Sequence, residues 1–128
     1  TITANGLTAL NLSTFNGATT VGDVTVTAAA GTRALTVTLN NVDEGTLAAA
    51  DGGTLTITDA TATSEAYKSV TAASFDVTAV HAAATSATID AGVALQMDAL
   101  TGALITSLGI SGAAKTTIAA DTPQATKC

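Results

Sequence analysis

The chain has 128 residues and a formal charge of −6, and 47% of its residues are apolar, 11% charged and 2% aromatic. Its single cysteine rules out an internal disulfide framework, and its four cations (Arg33, Lys68, Lys115, Lys127) lie too far apart in sequence for a basic nucleic-acid footprint. No run approaches the ~20 apolar residues of a transmembrane helix, and the apolar content is too high for intrinsic disorder.

Alanine and threonine supply 29 and 27 residues, against two Phe, one Tyr and no Trp. Enzymes and ligand-binding domains gather aromatic bulk and convergent polar groups around a pocket. This chain instead alternates small aliphatic residues with threonine. The alternation predicts strands at 7–13, 21–28, 34–40, 54–59, 74–80, 86–90, 94–98, 104–111 and 116–120. Its clearest examples are Leu35-Thr36-Val37-Thr38-Leu39 and Leu55-Thr56-Ile57-Thr58. The branched Cβ of threonine favours extended backbone, and its hydroxyl suits a solvent face. Turn signals fall between these runs at Asn5-Gly6, Asn16-Gly17, Gly31, Asn40-Asn41, Asp51-Gly52-Gly53, Ala91-Gly92, Gly102 and Gly112.

Two stretches read as helical. Residues 44–50 suit a single turn, and 61–73 suit a short capped helix around Ser64, Glu65, Ala66, Tyr67 and Lys68. Residues 81–84 fit either state. The expected organisation is a single β domain or module over 1–121, followed by a loose tail at 122–128 that ends in Cys128. That thiol reads as unused or as an intermolecular link.

A faint internal repeat relates Leu7-Thr8-Ala9-Leu10-Asn11-Leu12-Ser13 to Ile105-Thr106-Ser107-Leu108-Gly109-Ile110-Ser111. In a β-solenoid no rung buries its own face, and stacked rungs share a narrow aliphatic core with small residues at the corners. The fold class expected is therefore all-β with many short strands, a β-solenoid-like stack, with a β-sandwich as the alternative.

The strings 34–39, 54–63, 94–102 and 104–118 resemble the Ala/Thr/Leu/Gly strand repeats of bacterial surface-layer and large exported repeat proteins. The resemblance covers most of the chain and lies in texture rather than in a fixed motif. It implies β-solenoid or β-sandwich modules, assembly into lattices or fibres, and use of calcium. The glycine-aspartate nonapeptide that binds calcium in many such proteins is absent, and Asp51-Gly52-Gly53 alone does not supply it.

Chemistry-bearing residues are few. His81 is the only histidine and reads as structural rather than catalytic, and one Cys with one His cannot make a zinc site. Carboxylates suffice for a hard cation, so Asp43, Glu44 and Asp51 form a candidate calcium site, and Asp59 with Glu65 a weaker one. The alternative for both sets is solvated turn acids. Paired carboxylates for glycoside cleavage would need a sugar-stacking surface, which three scattered aromatics do not make. No phosphate-binding glycine loop occurs. Phe15, Tyr67, Phe75 and Met97 read as core anchors, and Asn11-Leu12-Ser13 is an isolated glycosylation sequon.

The expected function is accordingly not enzymatic. It is that of a structural, self-assembling extracellular protein: a surface-layer, fibre or adhesin-stalk subunit whose partners are copies of itself, with a possible cell-surface or capsid anchor. The alternatives are a virion component, such as a capsid decoration or tail module, and a carbohydrate- or receptor-binding β-sandwich.

Overall fold

The computed structural model describes residues 1–16, 23–43 and 55–121, without the side chains of 14–16, 43, 120 and 121. Eleven strands occur among these residues: β1 (Ile2–Thr3), β2 (Ala9–Asn16), β3 (Val24–Thr27), β4 (Ala34–Asp43), β5 (Leu55–Asp59), β6 (Ser64–Ser69), β7 (Ser74–Val80), β8 (Ser86–Ala91), β9 (Leu95–Thr101), β10 (Ser107–Ser111) and β11 (Thr116–Asp121). Odd-numbered strands form one sheet in the order β1-β3-β5-β7-β9-β11. Even-numbered strands form the other, in the order β10-β8-β6-β4-β2. Every pairing within both sheets is parallel.

Successive strands therefore alternate between two sheets while each sheet grows by one strand per turn of the chain. That is a two-sheet β-solenoid, in which β1 and β2 make the first rung and β9 and β10 the fifth. The sandwich alternative fails on strand direction, because sandwiches are built from antiparallel sheets.

Parallel register places residues of like character above one another. In the even sheet, Leu10, Val37, Tyr67, Ile89 and Ile110 form one inward column. Leu12, Leu39, Ser69 and Ala91 form the next. In the odd sheet the inward columns are Leu55, Val77, Met97 and Ile118, and Val24, Ile57, Ala79 and Leu100. Apart from Ser69 and Ile110, the side chains of these columns belong to one continuous core or pack against it. Burying such aliphatic area at ~25 cal/mol per Å2 is what holds the rungs together, and no single rung could do so alone.

The helix expected at 61–73 is replaced by β6 and its flanking turns. Neighbouring strands override the weak local helix signal of Glu65, Ala66 and Lys68, because Ser64–Ser69 completes the ladder between β4 and β8. Residues 81–84 form a turn closed by Ala84 N–H donating to the His81 carbonyl at 3.3 Å. The turn expected at 44–50 lies outside the described residues. Tyr67 and Met97 are core anchors as expected, whereas Phe75 is only half-buried on β7 and the Phe15 side chain is not described. A bulge in β7 carries Asp76 at φ 61°, which lets Ser74 and Val77 both face inward beside β9.

Candidate assembly interface

Two features stand out against the aliphatic columns: a set of buried polar groups under one corner of the stack, and the outermost strands of the even sheet. The corner is the side on which the chain crosses from an odd strand to the following even one. Arg33, just before β4, spans three of these corners. Its Nη1 donates to the Leu7 carbonyl at 2.7 Å, and its Nη2 donates to both Asp59 carboxylate oxygens at 2.6 Å and to Thr61 Oγ1 at 3.0 Å. Asp59 also accepts from the backbone N–H groups of Thr61 and Ala62, each at 3.1 Å. Burial pushes the Asp59 carboxyl up. The Arg33 guanidinium and the two N–H groups outweigh it and hold the group below its ordinary value.

One rung further on, His81 leaves β7 and turns into the core. Its Nε2 lies 2.7 Å from Tyr67 Oη and 2.7 Å from Glu65 Oε2, and the side chains of all three are buried. The tyrosine contact has hydrogen-bond geometry, whereas the carboxylate contact is close but not aligned as a hydrogen bond. His81 Nδ1 and Glu65 Oε1 have no partner. Glu65 occupies a column otherwise filled by Leu35, Ala87 and Leu108, so the cluster is a polar island in an aliphatic stack. Burial, then the charges of Glu65 and Asp59, raise the Tyr67 hydroxyl well above its ordinary value.

The His81 ring is wholly buried against Tyr67 and Glu65. Asp59 binds Arg33 while Glu65 faces His81, so these two carboxylates serve separate partners rather than one cation. Of the calcium candidates, Asp43 closes β4 but its side chain is not described, and Glu44 and Asp51 lie outside the described residues. Among the described residues no three His, Cys, Asp or Glu side chains gather into a metal site, and no helix is long and apolar enough to cross a membrane.

Among the described residues, strand β2 pairs only with β4, and β10 only with β8. At the last rung, Ile110 is 56% exposed, although the residues below it in its column, Ile89 and Tyr67, are 1% and 0% exposed. Leu104, in the corner leading into β10, is 55% exposed. Leu108 and Ile118 are half-buried beside them. These are core residues by column that no described residue covers.

Sequence reasoning missed β6, β1 and the buried Arg33–Asp59 pair. It did find the repeat, but in the wrong phase: the ladder stacks Leu10 on the column of Ile110, whereas sequence matching aligns Leu10 with Leu108. A clearer signal was present in Ala62-Thr63-Ser64, Ala84-Thr85-Ser86 and Ile105-Thr106-Ser107. Each marks the same corner. Thr85 and Thr106 each bond the carbonyl of the threonine one rung below, by N–H and by Oγ1. Compared with known proteins, the chain matches no family model, no curated protein and no solved structure.

Proposed function

We propose that this chain is a structural, self-assembling protein of the cell exterior, a subunit of a surface layer, fibre or stalk, and that strand edges at the ends of its solenoid join it to copies of itself. The observation that carries this reading is Ile110, a member of a buried column that stands 56% exposed on a parallel strand whose outer edge no described strand pairs. An apolar edge strand of this kind is a template for another strand, and soluble monomers blunt such edges with charge, proline or a covering segment. Strand β10, Ser-Leu-Gly-Ile-Ser, carries neither charge nor proline. The buried corner clamps supply rigidity, which suits a load-bearing element.

Size-exclusion chromatography with light scattering tests this directly. The native chain should run as species heavier than its 12.3 kDa, growing with concentration. Ile110→Lys should return it to a folded single chain, because the residue is exposed in the isolated subunit. Thr88→Lys, on the exposed outer face of β8, should leave assembly intact. A native chain of 12.3 kDa at every concentration and ionic strength would refute the reading.

A further inference from the structure

We infer that the Glu65–Tyr67–His81 island closes around one proton more than the unfolded chain carries at neutral pH, held as an imidazolium on His81, and that this proton locks the fourth rung to the third. The lock belongs to the single subunit and stands whether or not copies assemble.

The ring reaches across rungs. His81 follows β7, and its backbone N–H donates to the Thr101 carbonyl of the fifth rung at 3.0 Å, while its carbonyl accepts from Ala84 N–H at 3.3 Å. Its side chain points the other way, onto β6 of the third rung. There Nε2 lies 2.7 Å from Tyr67 Oη and 2.7 Å from Glu65 Oε2. A bare imidazole nitrogen and a carboxylate oxygen both present lone pairs, and at that separation, away from water, they repel. Nε2 therefore carries a hydrogen. Two states satisfy this: a neutral ring with its one hydrogen on Nε2, and an imidazolium with both.

Charge balance separates the two. The buried corners hold Arg33, Asp59 and Glu65 beside His81. Arg33 and Asp59 neutralise each other at 2.6 Å. That leaves the Glu65 carboxylate in an aliphatic column with His81 as the one described cation within reach. Lys68 of β6 and Asp90 of β8 are exposed on the outer face, and Asp76 accepts from Gln96 towards the other end of β7. Strands β4 and β8 turn only aliphatic side chains inward at this level, and β6 adds Tyr67. With a neutral ring the core would hold one negative charge in excess; with an imidazolium it holds none. An uncompensated buried carboxylate is far costlier than a paired one. The second hydrogen sits on Nδ1, which no described group accepts, and the attraction between the charges outweighs that one unmade bond.

An unfolded chain has an ionised Glu65 and a neutral His81 above about pH 6.5. Folding then takes up one proton. Because the folded state binds more protons, the contribution is complete below that pH and is lost as pH rises. The corner between β7 and β8 is thus closed by acid and loosened by base.

His81 is the chain's only histidine, so labelling histidine with nitrogen-15 reads this ring alone. In the full chain carrying Cys128→Ser, at pH 8, the folded protein should show both ring nitrogens in the imidazolium pattern. The same sample in urea should show the widely separated pair of a neutral ring. Between pH 7 and 9 the folding constant should fall by up to tenfold per pH unit beyond the fall in Glu65→Gln, whose amide needs no cation. A neutral ring in the folded chain at pH 8 would overturn the inference, and so would an identical pH dependence in the two chains. Should Glu65→Gln fail to fold, the labelled ring of the native sequence decides alone.

Discussion

Arg33 and Asp59 are joined by Nη2 lying 2.6 Å from both carboxylate oxygens, although one residue precedes β4 and the other ends β5, a rung higher. The pair ties together the corners of neighbouring rungs where the aliphatic columns stop. Removing one partner leaves a buried charge uncompensated, at a cost of about 3–5 kcal/mol. Asp59→Asn and Arg33→Met should each lower stability by that order in urea denaturation. Arg33→Met with Asp59→Leu should recover most of the loss, since an apolar pair needs no compensation. Additive losses in the double variant would show that the pair is not coupled.

The same pair sets the acid limit of stability. The carboxyl of Asp59 titrates below its ordinary value of 3.8 in the folded chain, so its contribution is complete above that value. It is lost as pH falls through the lower native value, because the unfolded chain takes up the proton first. The urea midpoint should drop steeply below about pH 4, and this part of the drop should vanish in Asp59→Asn.

At the alkaline limit Tyr67 acts with the opposite sign. Its hydroxyl is raised well above 10.0 by burial and by the charges of Glu65 and Asp59, so folding favours the protonated form. That contribution is complete below the unfolded value near 10 and is lost as pH climbs above it. Tyr67→Phe should flatten the alkaline limb of the stability profile. An unchanged limb would mean that another group governs it.

Glu65 and His81 test whether the polar island serves stability or specificity. His81→Leu leaves the Glu65 carboxyl buried beside Tyr67 alone and should cost about 3–5 kcal/mol. Glu65→Leu combined with His81→Leu extends the leucine of position 35 upward and should match or exceed the native chain. If the double variant is stable but its circular dichroism or assembly is heterogeneous, the island fixes register rather than adding free energy.

Gly112 follows β10 at φ +108°, and a Cβ there would run into the Ala91 backbone of the rung below. Gly112→Ala should loosen the last rung, speeding amide hydrogen exchange over 107–121 while leaving β4 to β8 protected. Gly6→Ala, where a Cβ meets nothing within 4 Å, should change little. Uniform loss of protection in Gly112→Ala would mean that the rungs unfold together.

Much of the fold was legible because period-2 alternation and parallel stacking obey the same rule. Val37 and Ile57 are wholly buried while Thr36 and Thr56 are half-buried on the opposite face, as the alternation requires. Strand β6 was not legible, since Ser-Glu-Ala-Tyr-Lys-Ser carries a helix-forming composition and becomes a strand through its neighbours. Burial of Glu65 and His81 could not be read from their types, because charged groups enter a core only when partners arrive from distant sequence. The likeness of 105–111 to 7–13 pointed to stacked rungs, but the phase of the columns needed the ladder of intervening strands.

The most direct test of end-to-end stacking is X-ray diffraction from aligned assemblies of the native chain. Rungs that continue across copies run along the filament axis, which predicts a strong meridional reflection at about 4.7–4.9 Å. A solution that holds only folded 12.3 kDa chains, and yields no alignable assembly at any concentration, would contradict the account.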